Sequence, residues 1–102
     1  MLNAASEDDT LAHSVQRAKA LFSSGLFSCL LLDLERARRD LEDSLRIYQK
    51  IQDDAGAGAV LCFLGIAYFY MNDSPRAIRF YQEALQYSQR AEDAWWIAET
   101  MH

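Results

Sequence analysis

Proline and glycine are scarce, with one proline, Pro75, and four glycines in 102 residues. So few breakers exclude a fold of many short strands and favour long helices. The period-two alternation of strands is missing as well. Cysteine is equally sparse. Cys29 and Cys62 sit in apolar runs with no spacing that suits zinc, another metal or a disulfide framework. They are expected to be free buried thiols, which fits a reducing, cytoplasmic setting. No basic cluster is free of interleaved acids, because Arg36 to Arg39 are followed by Asp40, Glu42 and Asp43. With a net charge of −5 and a pI near 4.8, the chain lacks a nucleic-acid footprint. The first ten residues carry Glu7, Asp8 and Asp9 and no basic stretch, so no signal peptide is read there. The longest apolar stretches, Leu26 to Leu32 and Ala57 to Met71, are too short and broken to span a bilayer, so a soluble chain is expected.

Hydrophobic residues make up 51% of the chain and charged ones 25%. That composition argues for a folded domain over a disordered one. The length fits one small domain, residues 1–102. Its main signal is internal repetition. Shifted by 40 residues, 14–53 and 54–93 share nine identities: Leu21/Leu61, Gly25/Gly65, Asp33/Asp73, Arg36/Arg76, Ala37/Ala77, Arg39/Arg79, Leu45/Leu85, Gln49/Gln89 and Asp53/Asp93. Unrelated sequences of ordinary composition would share about three.

Each copy reads as two helices. A mid-helix glycine costs about 1 kcal/mol relative to alanine, so its repetition at Gly25 and Gly65 points to close helix–helix approach. In the first copy, a helix starting near Ser6 or Asp9 runs to about Leu31. Asp33 caps the next, which turns Ala37, Leu41, Leu45 and Tyr48 inward. Glu35 with Arg39 and Glu42 with Arg46 are i,i+4 pairs on its outer face. In the second copy, Asp53 or Asp54 starts a helix that ends at Tyr70 or Met71, and Asn72-Asp73 form a turn. Ser74 is expected to cap the following helix, with Pro75 at its first position. That helix should run to about Arg90 and bury Ala77, Ile78, Tyr81, Ala84, Leu85 and Ser88. A turn at Asp93 should open a partial third unit over 94–102, with Trp95, Trp96, Ile97 and Met101 as packing residues.

Leu64, Gly65, Tyr68, Ala77, Tyr81 and Ala84 occupy the places of the tetratricopeptide pattern. The second copy therefore resembles the tetratricopeptide repeat. The first matches less well, with Ser24, Ser28 and Ser44 where the pattern has Leu, Tyr and Ala. The period of 40 and the Gln52-Asp53-Asp54-Ala55-Gly56 stretch resemble the longer variety found in scaffold proteins and bacterial regulators. The resemblance implies an all-α fold, an α-α superhelix of antiparallel hairpins in a right-handed solenoid, and non-enzymatic protein binding.

A tetratricopeptide array presents a groove lined by the first helix of each hairpin. The positions implied are Lys19, Phe22, Ser23, Leu26, Cys29 and Leu30, then Ala59, Cys62, Phe63, Ile66, Phe69 and Tyr70, with Glu99 and His102 from the third unit. Only Lys19 is basic, which argues against a clamp for a terminal carboxylate. An apolar surface of this kind suits a peptide or an amphipathic partner helix. The alternatives are a dimerising module that self-associates through the open end near Trp95, or a piece of a larger bacterial signalling or transcription regulator. His13 and His102 lack metal-ligand neighbours, and no catalytic constellation, phosphate loop or cofactor motif is found.

Overall fold

The computed structural model describes the backbone of residues 4–100 and the side chains of residues 10–90. It contains four helices, α1 (Ala4–Leu30), α2 (Leu34–Lys50), α3 (Asp54–Tyr70) and α4 (Ser74–Thr100), and among the described residues no strand. Each helix packs on its predecessor in sequence, and α1 also touches α3. Three short connectors join them, and they are alike. Leu32, Gln52 and Asn72 each adopt the left-handed conformation, with φ of 61°, 60° and 62°. The next residue's N–H reaches back to the carbonyl five positions earlier: Asp33 to Ser28, Asp53 to Tyr48 and Asp73 to Tyr68, each at 2.9 Å. This is the closure that satisfies the last carbonyls of a helix.

Aspartates open the next helices. Asp53 Oδ1 accepts from Gly56 N–H at 3.0 Å, a side-chain N-cap. Asp73 does the same with Arg76 N–H at 3.3 Å, so the cap of α4 is Asp73 and Ser74 already lies in the helix. Asp33 occupies the cap position of α2 but makes no side-chain cap bond. The start of α1 lies at Ala4, earlier than the sequence pattern placed it.

The inner faces follow the periodicity. Ala37, Leu41 and Tyr48 of α2 are buried, with Leu45 packed beside them. From α3, Ala57, Val60, Leu61, Leu64, Ala67 and Tyr68 complete the core. A Cβ on Gly25 would lie 2.7 Å from Leu41, and one on Gly65 would lie 2.7 Å from Tyr81. The two glycines therefore meet the same aligned position of their partner helix, which is what the repeat required. Ser44 stands where the second copy has Ala84, and its buried hydroxyl donates to the carbonyl of Ala18 at 2.8 Å. A buried hydroxyl needs such a partner, and the cross-helix bond supplies it.

Several expectations are corrected. The turn at Asp93 does not form, because α4 runs unbroken to Thr100. Ala94 to Thr100 are thus a continuation of α4; the side chains of Trp95, Trp96, Ile97, Glu99, Met101 and His102 lie outside the described residues. Ile78, Tyr81, Leu85 and Ser88 are exposed, whereas Ala77 and Ala84 are buried, because no described element packs on the far side of α4. The acids of the two anticipated ion pairs are both taken by Arg38, at 3.0 Å from Glu35 and 3.0 Å from Glu42. Its fork spans one helical turn in each direction, which neither Arg39 nor Arg46 does.

The two glycines differ in how far their neighbours can yield. Leu41 is fully buried, while Tyr81 is 40% exposed and can swing outward. Overpacking costs about 1–3 kcal/mol and the helix-propensity gain of Gly→Ala returns about 1. Gly25→Ala should therefore destabilise by up to about 2 kcal/mol, and Gly65→Ala should be close to neutral. Urea denaturation of both variants checks the order, and a larger loss for Gly65→Ala would reverse the assignment.

Candidate functional site

The hairpins leave a concave apolar groove between α1 and α3. Leu26, Cys29 and Leu30 line it from α1, Leu32 from the connector, and Phe63, Ile66 and Tyr70 from α3, around a cavity of about 430 Å³. Leu26 and Leu30 are one helical turn apart, and so are Ile66 and Tyr70, so each helix offers one stripe to the same space. Their aligned positions explain the meeting: Leu26 matches Ile66, and Leu30 matches Tyr70, under the 40-residue shift.

Below this groove Phe22 and Phe63 meet edge to face, with ring centroids 5.5 Å apart. Both pack against the core, so this pair joins the two hairpins as much as it shapes the surface. Phe69 and Tyr70 make a second edge-to-face contact at 5.9 Å, and Phe69 stays exposed. The structure thus gathers Leu26, Cys29, Leu30, Phe63, Ile66 and Tyr70 around one cavity. Lys19, Phe22, Ser23, Ala59, Cys62 and Phe69 do not line it. Sequence reasoning missed Leu32. The signal was present, since the same connector position carries Gln52 and Asn72 in the other two turns. A leucine held at positive φ, where asparagine is the common non-glycine choice, is out of place unless its side chain is used.

Tyr68 holds the back of α3. Its hydroxyl donates to Glu42 Oε1 at 3.3 Å, its ring stacks on Phe80 at 5.2 Å, and the Arg76 guanidinium lies over it at 5.7 Å. Among the described residues no three His, Cys, Asp or Glu side chains converge as a metal ion would need, and no helix is long and apolar enough to cross a membrane.

Residues 16–90 match the family profile of the tetratricopeptide repeat. The chain belongs to the tetratricopeptide repeat family. Its members generally mediate protein–protein interaction and are typically non-enzymatic. No curated protein and no solved structure matches the chain. As a tetratricopeptide chain, it carries the family's helical hairpins, with its own apolar residues lining the space between them.

The cysteines differ in environment. Both are free, Cys62 is exposed, and Cys29 is partly covered, so that burial pushes its thiol above the ordinary value. A raised pKa leaves less reactive thiolate near neutral pH. Iodoacetamide labelling read by mass spectrometry should therefore modify Cys62 first, with Cys29 catching up as the pH rises. A groove occupant should slow Cys29 further. Equal labelling of both at neutral pH would contradict this picture of the groove.

Proposed function

We propose that this chain is a peptide- or protein-binding module whose groove receives the apolar face of a partner helix. The observation that carries the reading is the convergence of Leu26, Leu30, Leu32, Phe63, Ile66 and Tyr70 on one cavity of about 430 Å³. Leu30 and Leu32 are 81% and 67% exposed. Large apolar side chains left in water around a concavity mark an interaction site. An amphipathic helix with anchors at i, i+3/i+4 and i+7 matches two parallel stripes of this spacing. The groove wall carries no charged side chain, which disfavours a terminal carboxylate as the anchor. Lys19 and Cys62 lie outside the cavity and serve, at most, at its margins. The partition into repeats 14–53 and 54–93, and a cytoplasmic setting with reduced thiols, belong to the same proposal.

A second reading is self-association. The exposed Ile78, Tyr81 and Leu85 on α4 favour it, and an array inside a larger regulator would cover the same surface. Trp95, named from the sequence as the centre of that open end, lies outside the described side chains.

The groove is tested by titrating labelled chain with a leucine-rich amphipathic helical peptide and following backbone amide shifts. Shifts should cluster on Leu26–Leu32 and Phe63–Tyr70. Leu30→Glu should weaken binding at least about tenfold, about 1.4 kcal/mol. Leu32→Asn should weaken it too while holding or raising stability, since asparagine, as at Asn72, adopts a positive φ more readily than leucine does. Unchanged affinity in both variants, or shifts confined to α4, would reject the groove.

A further inference from the structure

We propose that copies of this chain stack head to tail, with α1 of one copy laid along α4 of the next, so that the α2–α3 contact inside each copy is repeated between copies. The proposal rests on the self-association reading and specifies its geometry.

Helical spacing extends the α2–α3 contact, seen at Tyr48 on Gly56, into two stripes, of which Leu41 and Phe63 also touch α1. Gly56 sits on the ring of Tyr48, since a Cβ there would run into it. From Gly56 the same face of α3 continues through Val60, Phe63, Ala67 and Met71, at steps of three and four residues. All five are buried or half-buried. From Tyr48 the facing stripe of α2 runs back through Leu45, Leu41, Arg38 and Leu34, again all buried or half-buried. Each stripe has an aligned copy 40 residues away, and both copies are exposed to solvent, although one edge of the Tyr81 ring also meets Gly65 of α3. The α3 stripe maps onto Gln16, Ala20, Ser23, Phe27 and Leu31 of α1, every one exposed. The α2 stripe maps onto Ser74, Ile78, Tyr81, Leu85 and Ser88 of α4, every one exposed. Phe27 and Leu31 are 63% and 65% exposed, and Ile78 and Leu85 are 56% and 60% exposed.

One molecule thus displays both halves of an interface that it already makes internally. Carrying over the antiparallel register set by Tyr48 against Gly56 brings Ser88 opposite Gln16, Tyr81 opposite Ser23 and Ile78 opposite Phe27. Large side chains meet smaller ones in two of these three pairs. None of the ten residues is charged, in a chain that is 25% charged. The described charged side chains of α4, Arg76, Arg79, Glu83 and Arg90, fall on the opposite side of the helix at about 100° per residue. These α4 charges therefore face away from the proposed contact. Two charged residues of α2 in or beside the internal interface lose their charge in the open copy: Arg38 becomes Ile78, and Glu42, which reaches Tyr68 across the interface, becomes Gln82. The outer helices also match in length. α1 and α4 have 27 residues each, against 17 for α2 and α3, and in this register they lie side by side from end to end.

The two surfaces are different patches of one molecule, so the contact is heterologous and does not close on itself as a two-fold dimer would. That distinction decides the experiment. Sedimentation velocity of the whole chain should show an average mass that rises with concentration past the dimer. Phe27→Glu and Leu85→Glu should each be monomeric, with unchanged far-ultraviolet circular dichroism. An equimolar mixture of the two should form a one-to-one dimer and nothing larger, because each retains the half the other has lost. Ile78→Arg is a second variant of the α4 stripe and should behave as Leu85→Glu does. A wild-type chain that stays monomeric at high concentration overturns both this proposal and the self-association reading. A dimer that survives Phe27→Glu but not Leu85→Glu overturns only the head-to-tail geometry, leaving α4 pairing with α4. A monomeric mixture of the two variants, with wild type associating, overturns it equally.

Discussion

The close approach at Gly25 and Gly65 is the contact on which the architecture depends. A helix pair whose crossing point is a glycine can bring the facing Leu41 or Tyr81 almost onto its backbone. That proximity fixes how each hairpin closes. The buried Ala37 and Ala77 accompany these crossings, small side chains on the inner faces of α2 and α4. The groove follows too, because Leu26 and Ile66 lie one position beyond the two glycines. Their direction is dictated by the helices the glycines allow to meet.

Much of this was legible in the sequence because it is written twice. The shift of 40 residues aligned the glycines, the connector aspartates and the inner faces, and the six groove residues Leu26, Cys29, Leu30, Phe63, Ile66 and Tyr70 came from the same superposition and the family likeness. What escaped was whatever the copies do not share. Arg38 has Ile78 as its counterpart, so its hold on both Glu35 and Glu42 left no repeated trace. Leu32 faces the groove where Gln52 and Asn72 face water, and alignment hides such a difference. The cap of α4 was placed one residue late because Ser74-Pro75 looks like a helix start, while Asp73 had been assigned to the turn.

The largest miss concerns α4. Periodicity showed a wide apolar face on Ile78, Tyr81, Ala84 and Leu85, and a wide apolar face normally means burial. Only its Ala77 and Ala84 edge meets α3. Periodicity reports that a surface is suited to packing, and is silent about whether a neighbour is present. The same limit applied at Asp93, where a residue that matched Asp53 promised a turn. Asp53 works as a cap after Gln52 takes a positive φ. A cap residue alone does not break a helix; the preceding residue must leave the helical conformation as well.

The three connectors, at Leu32, Gln52 and Asn72, are alike to within two degrees in φ and share one hydrogen-bond pattern. A chain jointed this way has no slack place. The link within a hairpin is as short and as tightly tied as the link between hairpins. Among the described residues the three connectors are equally short, so opening the concave side would draw on sliding of packed helices more than on any one connector. For the proposed groove, connectors this short favour a partner whose width already fits the space between α1 and α3.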